Sequence, residues 1–174
     1  DLIFPHHENE IAQSEGAFGE KFVNYWLHCE HLLVDNEKMS KSKGNFYILK
    51  DIVEKGYSPK AIRYLLMGTH YKQKLNFTLD SLEASGNALK KFKEFLLKLN
   101  SVEGGINNSK IDLLIEKTKT KFEESMDDDL NISEALAAVF NFMGEINKLM
   151  AESKLSKNDA KKTILLLEEL DRVL

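Results

Sequence analysis

The sequence contains a single cysteine, Cys29, two prolines and one tryptophan among its 174 residues. One cysteine cannot form an internal disulfide, which excludes a disulfide-stabilised secreted scaffold and favours a reducing compartment. No apolar run approaches the length of a membrane span, and residues 1–5 lack the segments of a signal peptide. We therefore expect a cytoplasmic protein that makes no contact with membranes. Because the chain does not begin with methionine, we also expect a piece of a longer protein.

Basic residues are concentrated in the middle of the chain, although the net charge is −4. Residues 1–58 carry six Lys and Arg against ten Asp and Glu, residues 59–100 carry eight against three, and residues 101–174 carry ten against fifteen. The middle segment thus has a net charge of 8 − 3 = +5. Such a segment is typical of a surface that binds a polyanion, and a solvated helix face explains it equally well.

The first third of the chain has a mixed pattern of short elements. Residues 2–4 resemble the end of a strand, residues 7–17 a helix, and residues 31–34 a second strand. Asp35 and Asn36 tolerate positive φ and predict a two-residue hairpin turn into Glu37, Lys38 and Met39.

The rest of the chain has the pattern of packed helices. Ser58 and Pro59 predict a helix start, and Thr78 can cap a long helix that reaches Leu99. Apolar positions then recur at helical spacing over residues 111–126, 133–150 and 156–174, with Ser156 and Asp159 as a capping box. Four amphipathic helices with short connections predict a bundle, so the chain should be mostly α with a small α/β part. We expect boundaries near residues 58 and 100, which gives segments 1–58, 59–100 and 101–174.

A dense group of lysines follows the predicted hairpin, in the segment KMSKSKGNF of residues 38–46. Lysine ammonium groups on flexible side chains bind phosphate as point charges, and Gly44 lets the backbone approach a ligand. The segment is not a P-loop, because no Gly-x-x-x-x-Gly-Lys precedes a helix here. An arbitrary Lys/Ser loop would more often be a solvated turn.

His6 and Glu10 lie four residues apart in the segment FPHHENE. On a helix they would project from one face and could share a cation, while His7 would point elsewhere. An imidazole and a carboxylate together suit zinc. A helix N-terminus with acidic residues near its positive dipole end is the simpler explanation for this spacing alone.

The pentapeptide Lys-Met-Ser-Lys-Ser at residues 38–42 resembles the signature loop of class I aminoacyl-tRNA synthetases, which follows a hairpin in that family. The segment DLIFPHHENEIAQSE and the segment YWLHCEHLLVDNEKMSKSKGNF closely resemble cysteinyl-tRNA synthetases. The likeness continues in the sequence Met-Asp-Asp-Asp-Leu-Asn at residues 126–131, which is similar to a motif of the family's helical bundle. The resemblance implies the C-terminal part of a Rossmann-type catalytic domain followed by a bundle.

The resemblance also implies functional residues. Lys41, supported by Lys38, would be catalytic, and the ATP-binding residues would be Lys38, Met39, Ser40, Lys41, Ser42 and Asp1. His6 and Glu10 would join two cysteines around one zinc ion, and Cys29 would not be a ligand. ATP with magnesium, cysteine and tRNA(Cys) would be the substrates of a monomeric enzyme. The candidate phosphate contacts for tRNA are Lys60, Arg63, Lys72, Lys74, Lys90, Lys91 and Lys93.

The family's His-Ile-Gly-His element and both zinc cysteines would lie before Asp1, so we expect the chain alone to be inactive and to hold zinc poorly. Two alternative functions stay open. A related ligase uses the same cysteine adenylation to form an amide on an amino-sugar thiol precursor, and the chain could also be a noncatalytic RNA-binding module. The four predicted helices and the basic segment favour the tRNA enzyme.

Overall fold

The computed structural model of the chain describes residues 2–173. The first part contains a π-helical turn and three α-helices that alternate with short strands. These elements are the turn Ile3–His7, α1 Glu8–Phe18, β1 Leu33–Val34, β2 Glu37–Lys38, a 3₁₀ turn Lys41–Lys43, α2 Leu49–Glu54, α3 Pro59–Met67 and β3 Asn76–Phe77. The second part contains four longer helices, α4 Leu79–Asn100, α5 Lys110–Asp127, α6 Ile132–Ala151 and α7 Lys157–Asp171. The prediction of a mostly helical chain with a small α/β part is confirmed.

The three strands form one small sheet in the order β2-β1-β3. β1 pairs antiparallel with β2, with Leu33 opposite Lys38, and parallel with β3, with Leu33 opposite Asn76. Asp35 and Asn36 have φ values of 50° and 64°, as a two-residue hairpin turn requires. The predicted hairpin is confirmed, although β1 covers only half of the predicted residues 31–34.

The prediction of a strand end at residues 2–4 is wrong. Phe4 has extended angles, φ −133° and ψ 133°, but it lies inside the π-helical turn Ile3–His7. The residue before a proline is pushed away from helical angles, which explains an extended residue at this position. None of the three strands within residues 2–173 pairs with it.

Local capping signals explain the helix starts. Pro59 is the first residue of α3, and Thr78 accepts a hydrogen bond from the Ser81 backbone at the start of α4. Ser156 and Asp159 form the predicted capping box of α7. α7 ends at Asp171, short of the predicted end at residue 174, which lies outside the described residues.

Two hydrophobic cores lie along the chain, and α4 contributes to both. The smaller core contains Val34, Ile52, Ala61, Ile62, Phe77 and Leu82 from the strands and from α2, α3 and the start of α4. The larger core joins Phe95 and Leu99 of α4 to the apolar faces of α5, α6 and α7. α4 therefore connects the lysine-bearing part to the helical bundle as one continuous element. Within residues 2–173, no helix combines the length and apolarity of a membrane span.

Candidate functional site

The lysine loop of residues 38–46 leaves the short strand β2 and is braced by Asn45. The Asn45 side chain accepts a hydrogen bond from the Ser40 backbone at 2.8 Å and donates one to the Lys38 carbonyl at 3.3 Å. Gly44 has a φ of 71°, and its backbone N–H closes the 3₁₀ turn on the Lys41 carbonyl at 3.2 Å. A left-handed residue favours glycine at this position. The loop therefore has a defined shape.

The lysines of this loop have different environments. The Lys41 ammonium lies 5.3 Å from the centre of the Phe46 ring, a cation–π distance that leaves the charge at the surface. The Lys43 ammonium pairs with the Glu37 carboxylate at 2.9 Å. Lys38, Lys41 and Ser42 are exposed, while Met39 and Ser40 are half-buried. The sequence pattern did not predict a structural role for Asn45 or Phe46, which follow the pentapeptide of residues 38–42. Asp1, the remaining predicted ATP contact, lies outside the described residues.

His6 and Glu10 lie on one side of the first helical turns, as their spacing predicts. The His6 Nε2 atom is 4.0 Å from the Glu10 Oε1 atom, and the side chains are 65% and 50% exposed. An imidazole nitrogen and a carboxylate oxygen are both zinc ligands in proteins. Zinc takes about four ligands, however, and residues 2–173 contain no group of three or more His, Cys, Asp or Glu that could hold a metal ion. The donor chemistry fits half of a zinc site.

The ring of His7 lies 5.9 Å from the ring of His6, edge to face, and has its own further partners. Its Nδ1 atom lies 2.8 Å from the Nε2 atom of His28, and its ring stacks on Trp26 at a centroid distance of 4.9 Å. Cys29 is exposed and belongs to no metal-binding group within the described residues. His7 therefore connects α1 to the segment that precedes β1.

The candidate tRNA contacts are all exposed and lie on α3, on the loop before β3 and on α4. Lys60 and Arg63 line a cavity of about 430 Å³ between α3 and the bundle, together with Arg172 of the segment after α7. The Lys72 ammonium pairs with the Asp129 carboxylate at 2.5 Å. No local pattern in the sequence indicates this partner.

Asp129 is the centre of a contact cluster between the loop after α3 and the α5–α6 turn. The Tyr71 hydroxyl donates to Asp129 Oδ1 at 2.6 Å, and His70 Nε2 donates to the Asp129 carbonyl at 2.9 Å. The hydrogen bond from Lys72, and then that from Tyr71, lowers the pKa of the Asp129 carboxyl. The hydrogen bond to Asp129 raises the pKa of Lys72 and that of Tyr71. The cluster therefore joins residues 57–59 positions apart.

Two segments of the chain match known protein families. Residues 1–87 match the family described as "tRNA synthetases class I (C) catalytic domain". The chain belongs to this class I tRNA synthetase family. Residues 121–174 match the family described as "DALR domain". The part with the lysine loop thus corresponds to the catalytic domain of class I synthetases, and the end of the helical bundle corresponds to the DALR domain.

Curated relatives extend this result over the whole chain. A protein of Protochlamydia amoebophila named "Cysteine--tRNA ligase" is 46% identical over 100% of this chain and 36% of its own length. Proteins of the same name from Leptospira interrogans and Brachyspira hyodysenteriae are 50% and 48% identical over 100% and 92% of the chain. This class I synthetase chain spans 34–38% of the length of these relatives.

A solved structure shares the fold. It is the crystal structure of the ternary complex "LeuRS-tRNA-LeuAMS" from Agrobacterium radiobacter K84, with a TM-score of 0.68 over 95% of this chain and 24% of that one. The sequences are 19% identical, so the likeness concerns the fold alone. The arrangement of the small sheet, α3 and the bundle therefore occurs in another synthetase.

Proposed function

We propose that the chain is part of a cysteine–tRNA ligase, which activates cysteine with ATP and transfers the cysteinyl group to the 3′ end of tRNA(Cys). The braced lysine loop is the observation that carries this proposal, because it presents Lys38 and Lys41 at the end of a hairpin. The printed name of the relatives supports the choice of cysteine and tRNA. ATP with magnesium, cysteine and tRNA(Cys) are the proposed substrates of a cytoplasmic monomer.

Lys41 and Lys38 would act on the departing pyrophosphate. A cysteine carboxylate oxygen bonds to the α-phosphorus of ATP, the bond from that phosphorus to the bridging oxygen breaks, and pyrophosphate leaves with the electron pair. Negative charge grows on the leaving group, so ammonium groups placed there stabilise the transition state more than the bound substrate. Phe46 would hold the Lys41 ammonium near the surface until ATP binds. Met39, Ser40, Ser42 and Asp1 complete the proposed ATP site.

His6 and Glu10 would supply two zinc ligands, and the family's two cysteines would supply the others. A bound zinc ion would distinguish a thiolate from the hydroxyl of serine, which a pocket of the same shape separates poorly. The residues of this chain would hold the ion at one wall of the cysteine site. His7 contacts His28 and Trp26 instead and is not assigned to the ion.

The basic segment would hold the tRNA backbone. Its exposed side chains can contact phosphates along α3 and α4, which positions the RNA without reading its sequence. The boundaries near residues 58 and 100 are part of this proposal, because they separate the lysine-loop part, the basic connection and the bundle.

The test uses the full-length protein that contains this chain. The wild-type protein should catalyse cysteine-dependent exchange of pyrophosphate into ATP and should charge tRNA(Cys). Lys41→Ala should lower the exchange rate about 100-fold or more with little change in cysteine affinity. Lys43→Ala is the matched control in the same loop, and its effect should be small because Glu37 already neutralises that charge.

Three outcomes would contradict the proposal. Loss of cysteine affinity in Lys41→Ala with normal exchange would remove the assigned role of Lys41. Wild-type exchange without charging of tRNA, combined with amide formation on an amino-sugar acceptor, would favour the alternative ligase. A protein that binds tRNA but shows no exchange would be an RNA-binding module.

A further inference from the structure

The Asp129 cluster lies where the bundle meets the catalytic part of the chain. Besides the contacts of Asp129, the Ser133 hydroxyl at the start of α6 donates to the Gly68 carbonyl at 3.2 Å. The backbone of Lys72 donates to Nδ1 of His70, and Nε2 of the same ring donates to the Asp129 carbonyl, so both ring nitrogens have a partner. The junction is therefore formed by specific polar contacts.

The α5–α6 turn has a backbone conformation that presents the Asp129 side chain. Asp129 and Leu130 both have left-handed angles, with φ values of 54° and 58°. An Asp residue tolerates left-handed backbone angles because its short polar side chain can form local hydrogen bonds, whereas a Leu residue adopts them only at a cost in free energy. The Asn131 backbone closes the turn on the Ser125 carbonyl at 3.0 Å. The turn thus directs one carboxylate towards residues 71 and 72.

The loop that receives this carboxylate is also bonded to the strands before the lysine loop. The Tyr71 carbonyl accepts from the Glu30 backbone at 2.8 Å, and the Leu75 carbonyl accepts from the Leu33 backbone at 2.8 Å. Leu33 in turn pairs with Lys38. Hydrogen bonds and the short chain segments between them therefore link Asp129 to the strand that pairs with Lys38, the first residue of the lysine loop.

Within residues 2–173, α4 and the Asp129 cluster both connect the bundle to the catalytic part. α4 is the first, because its beginning packs in the small core and its end in the large core. A single helical connection leaves rotation about its axis and bending free. The Asp129 cluster is the second connection, and it lies on a different element of the bundle. Two separate attachments fix an angle that one attachment leaves free.

We propose that Asp129 is a positioning residue that sets the lysine loop and the helical bundle at the angle required for charging tRNA. This inference rests on the proposed function. RNA held by the bundle must place its 3′ end at the cysteinyl adenylate, and misplacement of reacting groups by about 1 Å can lower a rate about 100-fold. Adenylation itself needs only the catalytic part and should not depend on this angle.

The test compares two reactions of the full-length protein and its Asp129 variants. Asp129→Ala removes both side-chain contacts, whereas Asp129→Asn keeps an acceptor for the Tyr71 hydroxyl and loses the ion pair with Lys72. We expect kcat/KM for tRNA to fall about tenfold or more in Asp129→Ala and less in Asp129→Asn. Cysteine-dependent pyrophosphate exchange should stay within about twofold of wild type in both.

Two further variants make the result specific. Asp128→Asn removes the same charge one residue earlier, where the carboxylate is outside the cluster, and should leave both reactions unchanged. In a double-mutant cycle with Lys72→Met, the losses in charging should be less than additive, because both changes break one contact.

Each other outcome overturns the inference in a distinct way. An equal fall in exchange and charging would indicate general destabilisation of the protein. Stronger tRNA binding by Asp129→Ala would mean that Asp129 only competes with RNA phosphates for Lys72. Unchanged charging would mean that the cluster does not set the angle. Absence of both reactions in the wild-type protein would instead contradict the proposed function.

Discussion

Gly105 is the position where a single added methyl group should damage this fold most clearly. Its φ is +101°, and a Cβ atom built there would lie 2.2 Å from the Leu155 carbonyl oxygen and 2.7 Å from its carbon. Ordinary van der Waals contact for a Cβ atom begins at 3.4 Å. The neighbour is backbone and cannot rotate away. Gly105→Ala must therefore separate the loop after α4 from the start of α7.

The magnitude follows from what that separation breaks. A left-handed backbone angle costs a residue with Cβ about 1–2 kcal/mol. The same loop and helix start are joined by hydrogen bonds from the Asn108 backbone to the Asp159 carboxylate at 3.0 Å and from the Ser156 hydroxyl to Asn107 at 2.6 Å. Each contributes about 1 kcal/mol, and a hydrogen bond to a charged group more. We expect a loss of about 3–5 kcal/mol in the free energy of unfolding.

Urea denaturation followed by circular dichroism measures this loss. With a slope of about 2 kcal/mol per molar urea, a loss of 4 kcal/mol lowers the midpoint by about 2 M. Gly104→Ala is the matched control, since no atom lies within 4 Å of its added Cβ and its φ is not in the left-handed region. Its midpoint should stay within about 0.3 M of wild type, which corresponds to about 0.5 kcal/mol. Equal midpoints for the two variants would refute the close contact at Gly105.

Two other predictions concern α6 and the metal ligands. Gly144→Ala should raise the free energy of unfolding by about 0.5–1 kcal/mol in the same denaturation experiment. The reason is that Gly144 lies inside α6 and no atom lies within 4 Å of the added Cβ. A destabilised variant would contradict the open space at this position. In the full-length protein, His6→Ala and Glu10→Ala should each lower the zinc content measured by elemental analysis. His7→Ala should not lower it, because the His7 ring contacts His28. Equal loss of zinc in all three variants would contradict this ligand assignment.

The sequence predicted helices well where a local signal marks their start. Pro59, Thr78 and Ser156 each specify a boundary through their own backbone or side-chain chemistry, and all three helices begin at the expected residue. Asp35 and Asn36 specified the hairpin turn in the same way. These features depend on neighbours in sequence, so a pattern of a few residues is enough to find them.

Features that depend on distant residues were missed. β3 has only two residues, Asn76 and Phe77, and it exists because β1 lies beside it 43 positions earlier in the sequence. Likewise, the spacing of His6 and Glu10 was readable because both lie on adjacent turns, whereas the partner of Lys72 lies 57 residues away. Lys72 lies in a basic segment, which predicts a contact with RNA. Nothing near it in the sequence indicates that it pairs with a carboxylate of the same chain.

The Asp129 cluster is exposed to solvent, so it should contribute little to the stability of the fold even though it sets the angle between the bundle and the catalytic part. The side chains of Lys72 and Asp129 are 60% and 47% exposed, and ion pairs this open to solvent contribute little to the free energy of unfolding. The two hydrophobic cores supply that stability independently of the pair. Asp129→Asn, which breaks the ion pair but keeps a side chain that tolerates the left-handed angle at this position, should therefore leave the urea midpoint nearly unchanged while it lowers tRNA charging. A contact with so small a share in folding is best explained by the angle that it fixes between two parts that each have their own core.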